Sequence, residues 1–218
     1  MKIQNRTKSK QGFTLIEMIG VLAIIAILAS LLIPKVFQAI NDSRVNNTAT
    51  AVNTMKAAAA EHYGKWGKFC MNTTGTGLTN TVEIWDQSVL FAEQRVDKPL
   101  IVKIGDGVVG TAAGAGTRVR AVDISALTAT SAPNTTDAYN LDGAGSANDV
   151  TGAWMVEAVI SGVAAQDAVD LNNRIDGTGT TLGTTTLGSL TEADTKGRVR
   201  YAAPSGGVTE VHVYLTHR

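Results

Sequence analysis

The stretch Phe13–Ile33 reads FTLIEMIGVLAIIAILASLLI, and it decides how the rest of the chain is interpreted. These 21 residues carry a single charge, on Glu17. A helix of this length rises about 30 Å, which matches the thickness of the hydrocarbon layer of a membrane. The sequence therefore predicts a helix that spans a membrane from residue 13 to residue 33.

Three other structures compete for an apolar run of this kind. A cleaved secretory signal has a shorter apolar core of about 7–15 residues, and no Ala-x-Ala site follows Ile33. A buried core helix is disfavoured by the position near the amino terminus and by the flanking charges. A plain single-span anchor fits the length, but it gives no reason for Glu17, since a carboxylate in hydrocarbon is costly and commonly functional.

The residues before the apolar run are basic, although the chain of 218 residues is neutral, with 19 basic and 19 acidic side chains. Lys2, Arg6, Lys8 and Lys10 precede Phe13, and no acidic residue does. Such charges remain on the cytoplasmic side of a membrane. We therefore expect a single span, a cytoplasmic amino terminus and an extracytoplasmic remainder. The neutral total disfavours binding of nucleic acid by bulk charge.

The residues Gly12-Phe13-Thr14-Leu15-Ile16-Glu17 resemble the processing site of the type IV prepilin family. In that family a short basic leader ends in glycine, a membrane peptidase cuts after the glycine, and the new amino-terminal residue is N-methylated. The resemblance implies cleavage between Gly12 and Phe13 and methylation of Phe13. It also implies a pilin-like α+β fold, with one long amino-terminal helix packed on a small antiparallel sheet.

The same resemblance implies a role for Glu17 in assembly. In a filament the amine of Phe13 enters a core of low dielectric constant, where an unpaired charge is costly. Glu17 of a neighbouring subunit is then expected to pair with this amine and to set the axial register, as buried polar pairs do in coiled coils. Gly20 and Pro34 interrupt the helical run. Because proline lacks the amide donor, we expect a kink at Pro34, and the resemblance implies that the stretch before it melts on assembly.

Three segments follow from this interpretation: a cleaved leader over 1–12, a long helix over 13–63 and a globular head over 64–218. In the second half of the helix, apolar residues recur at intervals of three or four and predict a face that packs on the head. These residues are Phe37, Ile40, Val45, Ala49, Val52, Met55, Ala59 and His62. Gly64, with Gly67 close behind, is the predicted end of the helix.

The head carries moderate strand patterns. Short strands are predicted at 81–85, 89–91, 100–104, 107–110, 119–124 and 154–160, with a hairpin turn at 105–107. The clearest pattern is a terminal hairpin over 198–203 and 208–216, where Val211, Val213 and Leu215 alternate with polar residues. A short helix is predicted over 163–176, ended by Gly177. Biased tracts at 111–117, 131–149 and 176–189 predict surface loops.

The sequence shows no pattern typical of an enzyme or of a cofactor site. It lacks a nucleophile–base pair and a phosphate-binding loop in its strand–helix context. A single cysteine, Cys70, permits neither an intrachain disulfide nor a cysteine cluster for metal. The nearest candidates for calcium are Asp170, Asn172, Asp176 and Asp194. Arg174 places a cation where a calcium loop needs an oxygen, so we predict no metal site. Because the catalytic and phosphate-binding patterns are also missing, we predict no cofactor and no catalysis.

The resemblance implies a structural subunit of a type IV pilus-like filament that serves adhesion, motility or DNA uptake. The implied partners are copies of the chain, other pilins, the prepilin peptidase and an inner-membrane assembly platform. The precursor is expected in the bacterial inner membrane and the assembled subunit in a cell-surface pilus. Two alternatives stay open: a pseudopilin of a type II secretion system in a periplasmic pseudopilus, and a membrane-anchored binding module that does not polymerise.

DNA is a further partner to consider, because competence pili of this family take up DNA. Two groups of basic residues lie on predicted strands, Lys196, Arg198 and Arg200 on one and Arg118 and Arg120 on another. An exposed basic edge would suit a phosphate backbone. A solvated or salt-bridged edge is the alternative for the same residues.

Overall fold

The computed structural model describes residues 12–69, 71–72, 74–78, 80–128, 137–144, 147–177 and 192–218. Cys70 and the basic residues before Gly12 lie outside the described residues, as do residues 131–136, 145–146 and 178–189 of the predicted loops. The elements are α1 (Leu15–Trp66), a π-helical turn (Asp86–Phe91), β1 (Arg118–Asp123), β2 (Trp154–Ala164), α2 (Ala165–Asp176), β3 (Val199–Tyr201) and β4 (Val208–His217). The α+β class, with one long helix on a small antiparallel sheet, is confirmed.

The chain divides into two compact units, Met1–Asn41 and Asp42–Arg218. In the second unit, α1 buries a face with helical spacing: Val45, Thr48, Ala49, Val52, Met55, Ala58, Ala59 and His62. Six of the eight residues predicted for this face are therefore confirmed. The prediction is wrong for Phe37 and Ile40, which are exposed. They precede Asn41 and continue the apolar surface of the first unit.

The carboxyl end of α1 is set by Gly67. Its φ is 70°, in the left-handed region, and its N–H donates to the carbonyl oxygen of Tyr63 at 2.6 Å. A left-handed glycine directly after a helix is a common way to end it, because glycine has no Cβ to clash. Gly64 remains helical, so the second of the two predicted stops ends the helix at Trp66.

The strands form one antiparallel sheet in the order β1-β2-β4-β3. The central pair, β2 and β4, places Ala158 opposite Val213 and Ile160 opposite Val211. These side chains join α1 and α2 in the main hydrophobic core. The terminal hairpin is confirmed as β3 and β4, although β3 is shorter than predicted. The alternate side chains of the sheet point to the other face, which carries the charged residues described below.

The predicted strands at 81–85, 89–91, 100–104 and 107–110 are not strands in the described structure. The run containing Val89 and Leu90 is buried in the π-helical turn, since a short apolar run fits a buried helix as well as a strand. Segment 100–104 alternates between buried and exposed residues as a strand does. Two of its backbone groups, however, bind side chains. The carboxylate of Asp86 accepts from the N–H of Leu100 at 2.8 Å, and Arg44 donates to the carbonyl of Lys103 at 2.7 Å.

Candidate assembly helix and the charged face of the head

The predicted processing site lies immediately before the first residue of α1. Gly12, Phe13 and Thr14 are non-helical, and the first helical residue is Leu15. The ring of Phe13 is 81% exposed. The peptide bond between Gly12 and Phe13 is therefore not held in helical hydrogen bonding.

Glu17 and Thr14 form a capping box at the start of α1. The Oε2 atom of Glu17 accepts from the N–H of Thr14 at 2.7 Å and from its hydroxyl at 2.8 Å. In return, the N–H of Glu17 donates to the hydroxyl oxygen of Thr14 at 3.3 Å. This reciprocal contact satisfies donors that a helix leaves unpaired at its first turn. The sequence analysis predicted that Glu17 pairs with another subunit and did not predict this capping box. Threonine and glutamate three residues apart are the sequence signature of a capping box.

The amino-terminal part of α1 exposes its apolar side chains. Every residue from Gly12 to Ser43 is exposed, and the large apolar ones are exposed by 45% to 81%. Within the described residues, α1 is the one helix long and apolar enough to cross a membrane. Monomeric soluble proteins rarely expose contiguous apolar patches larger than a few hundred Å². This surface therefore needs lipid or other protein to cover it.

The helix passes through Gly20 and Pro34 without interruption. Pro34 has no N–H, so it cannot donate to the carbonyl of Ser30 one turn earlier. The hydroxyl of Ser30 donates to the carbonyl of Ile27 at 2.8 Å. The kink expected at Pro34 and the loosening of the preceding turn stay predictions.

Comparison with known proteins addresses this amino-terminal segment. Residues 7–33, a range that includes Gly12, Phe13 and Glu17, match the family model of the prokaryotic N-terminal methylation motif. A fimbrial protein of Neisseria meningitidis serogroup A is 31% identical over 84 residues, which are 38% of this chain and 49% of the relative. These two matches support the resemblance of the chain to type IV pilins.

The chain spans about half the length of the curated relative that it matches. No solved structure matches it. The resemblance noted from the sequence is confirmed. An apolar amino-terminal helix and this motif fit a membrane-anchored precursor of a pilus subunit.

In the pilin-like head, the sheet face opposite the hydrophobic core is organised around Glu157 of β2. Glu157 is fully buried, and its carboxylate accepts from Nε of Arg120 on β1 at 2.5 Å and from the hydroxyl of Tyr139. Arg200 on β3 approaches the same carboxylate at 3.5 Å, and Nδ1 of His212 on β4 lies at 3.1 Å. The strands β1, β3 and β4 and the segment 137–144 thus each supply a group that contacts the carboxylate of Glu157 on β2.

Charges on this face stabilise one another. Burial raises the pKa of the Glu157 carboxyl, but His212, Arg120 and Arg200 outweigh it and hold that pKa well below its usual range. A buried charge is costly unless it is paired and hydrogen-bonded, and here each requirement is met. The face is therefore an ionic network centred on the buried carboxylate of Glu157.

The arginines of the candidate DNA edge belong to this network. Arg118, Arg120 and Arg200 are 4%, 7% and 7% exposed. Arg118 lies 3.0 Å from Glu83, and the other two bind Glu157. The strand β3 begins after Arg198, so the predicted row of three basic residues does not form on one strand. The salt-bridged alternative describes these arginines.

The acidic residues considered for calcium bind protein groups. Asp176 at the end of α2 accepts from the N–H groups of Arg198 and Val199 at 2.8 and 2.9 Å. Asp194 accepts from the amide of Asn172 at 2.6 Å. Within the described ranges, no three or more histidine, cysteine, aspartate or glutamate side chains are grouped so that they could hold a metal ion.

Proposed function

We propose that this chain is the structural subunit of a type IV pilus-like filament, cut between Gly12 and Phe13 and N-methylated on Phe13. The observation that carries the proposal is the apolar amino-terminal segment, in which every residue from Gly12 to Ser43 is exposed. Lipid covers this surface before assembly, and the same helices of other subunits cover it in the filament. Burial stabilises either state by about 25 cal/mol for each Å² removed from water.

The charge pattern orients the precursor in the membrane. The basic residues Lys2, Arg6, Lys8 and Lys10 keep the leader in the cytoplasm, so the head lies on the other side. Cleavage then requires a peptidase that acts at the cytoplasmic membrane surface. Removal of the subunit from lipid requires an assembly platform in the same membrane, because an apolar helix of this length does not leave a bilayer unaided.

Glu17 exchanges partners during assembly. In the single chain its carboxylate is engaged by Thr14 of the same turn. In the filament core it meets the amine of Phe13 of a neighbouring subunit. A hydrogen bond between two ions is stronger than one to a neutral hydroxyl, and a low dielectric constant strengthens it further. The new pair fixes how far one subunit is displaced along the filament relative to the next.

The decisive experiment is to shear intact cells and to determine the mass of the amino-terminal peptide in the released fraction. The expected peptide starts at N-methylated Phe13 and is present in sheared filaments. The same peptide confined to membranes would show processing without a surface pilus, as a pseudopilin would give. A chain that begins at Met1, or one that is cut beyond Ile33, would contradict the proposal.

Variants at Glu17 separate its two roles. Glu17→Gln keeps the capping box, because glutamine also closes it, and removes the charge; Glu17→Ala removes both. We expect both variants to be processed, to stay in the membrane and to be missing from the sheared fraction. Thr14→Ser, which retains cap and charge, is the matched control and should assemble. Normal filaments from both Glu17 variants would show that the charge pair is not needed.

A further inference from the structure

His212 on β4 lies between two carboxylates, one at each nitrogen of its ring. Nδ1 is 3.1 Å from Oε1 of Glu157, and Nε2 is 3.1 Å from Oε1 of Glu210. A neutral imidazole donates from one nitrogen and presents a lone pair at the other, whereas the imidazolium donates from both. We propose that His212 is an imidazolium clamp that ties Glu157 to Glu210 and makes the charged face of the head sensitive to pH.

The charged groups around His212 comprise one more carboxylate than guanidinium groups. Every element packed around this face contributes to it: the segment before the π-helical turn, all four strands and the segment 137–144. The acidic groups are Glu83, Asp137, Glu157 and Glu210. The guanidinium groups are Arg118, Arg120 and Arg200. Tyr139 donates its hydroxyl hydrogen to Glu157 and adds no charge, because burial raises the pKa of its hydroxyl. Among the described residues, the protonated ring of His212 completes the balance of four carboxylates and four cations.

The direction of the pKa of His212 agrees with this geometry. Burial lowers the pKa of the imidazole, and Arg200 opposes its charge, but Glu157 and Glu210 outweigh both and raise that pKa above its ordinary value. A group whose pKa rises on folding stabilises the fold at low pH. That stabilisation is complete below the ordinary value of about 6.5 and is lost as the pH rises past the folded pKa.

The two carboxylates respond differently when the ring loses its proton. Glu157 has no exposed surface, so it cannot replace the imidazole with water, and it keeps the remaining N–H at Nδ1. The side chain of Glu210 is 43% exposed and is 3.8 Å from Arg118. Deprotonation therefore releases Glu210 to solvent and opens the outer side of the clamp, while the buried side stays closed.

A nitrogen NMR titration of the full chain in detergent micelles, with labelled histidine, tests the clamp directly. At about pH 6.5, the ordinary pKa of histidine, we expect most His212 rings to be protonated on both nitrogens, with His212→Gln used to assign the signals. His217 is the internal comparison, because burial and Arg218 lower the pKa of its ring. A His212 ring with one protonated nitrogen at this pH would overturn the proposal.

Glu210→Gln is the variant that keeps the test falsifiable should His212→Gln fail to fold. It preserves the size of the exposed arm and removes its charge, while Glu157 and the hydrophobic core remain unchanged. We expect His212 in this variant to lose its proton at a pH about one unit lower than in the wild-type chain. An unchanged titration would show that Nε2 is not clamped and would overturn the two-sided arrangement.

Discussion

The two units of the chain depart from ordinary side-chain burial in opposite directions. The first unit, through Asn41, exposes large apolar side chains along a helix, whereas the second buries Glu157, Arg120 and Arg200 on one face of a sheet. Both arrangements are rare in soluble domains, where charges lie outside and large apolar patches are covered. The difference lies in where the partners are. Among the described residues, the charges have partners within the chain, and the apolar surface has none.

The charged face of the head is paired within the chain, so we expect it to contribute to the stability of the head. The apolar surface of the helix is not covered in this way, so we expect its role to depend on other molecules. The head can be disturbed by changing one of its own residues. The apolar helix is disturbed by changing its compatibility with lipid or with another subunit. Substitutions in each unit should therefore be detected by different measurements.

The largest effect is expected from Glu157→Ala. It leaves Arg120, Arg200 and His212 without their shared carboxylate, and breaking a buried ionic network in this way costs about 3–5 kcal/mol of unfolding free energy. Urea unfolding of the full chain in micelles, followed by tryptophan fluorescence, measures this cost.

Glu61→Gln is the matched control for that measurement. Glu61 pairs with Arg95, and its side chain is 64% exposed, so the loss should be at most about 1 kcal/mol. Equal losses for the two variants would show that burial does not distinguish these carboxylates, and the contrast between a closed network and a surface pair would fail.

A somewhat smaller effect is expected from Ile25→Asp in the apolar helix. Ile25 is 55% exposed, and an aspartate at the centre of a membrane span costs about 3 kcal/mol of insertion free energy. The fraction of the chain that resists alkaline carbonate extraction should fall, while the urea midpoint of the head stays unchanged. Ile25→Leu is the control and should behave as wild type. Full membrane retention of the aspartate variant would argue against a span over 13–33.

An effect confined to acid pH is expected at Glu93, which accepts from the indole of Trp66 at 2.6 Å and from Arg95 at 2.8 Å and contacts His62 at 2.9 Å. Burial raises the pKa of the Glu93 carboxyl, but these three groups lower it from 4.5 to about 2. Because folding depresses this pKa, its stabilisation is present above about pH 4.5 and is lost as the pH falls towards 2.

Glu93→Gln should therefore reduce the loss of stability in acid. It should not abolish that loss, because Glu157 also has a depressed pKa in the folded chain. The urea midpoint measured at several pH values, between about 2 and 6, gives the slope for wild type and variant. An equally steep loss in both would contradict the depressed pKa of Glu93.

Local patterns made the amino-terminal segment and the terminal hairpin predictable. An apolar run, a threonine and glutamate three residues apart, or the alternation of Val211, Val213 and Leu215 can be recognised within about twenty residues. The strands that were predicted wrongly lie in segments whose conformation depends on residues far away in the sequence. Segment 100–104 has the alternation of a strand, but the side chains of Asp86 and Arg44 take backbone partners there.

The charged face was missed for the same reason. Glu157 contacts Arg120, 37 residues away, and His212, 55 residues away. Tyr139 lies in a tract whose composition predicts a surface loop, yet its side chain is fully buried against Glu157. One signal was present in the sequence: a glutamate in the middle of the apolar strand β2, with charged or titratable residues at alternate positions on β1 and β4 and one arginine on β3. A single charge in an apolar strand predicts a buried partner but not which residue supplies it.

The convergence of several strands on Glu157 also limits how the head can evolve. A change at Arg120, Glu157 or Arg200 alone leaves a buried charge without compensation, and such intermediates are disfavoured. Replacement of the whole set by apolar residues of similar volume can preserve stability, but it requires several simultaneous substitutions. We therefore expect sequence drift to be slow on this face and to be directed to exposed positions elsewhere on the head, which can diversify while the sheet is retained.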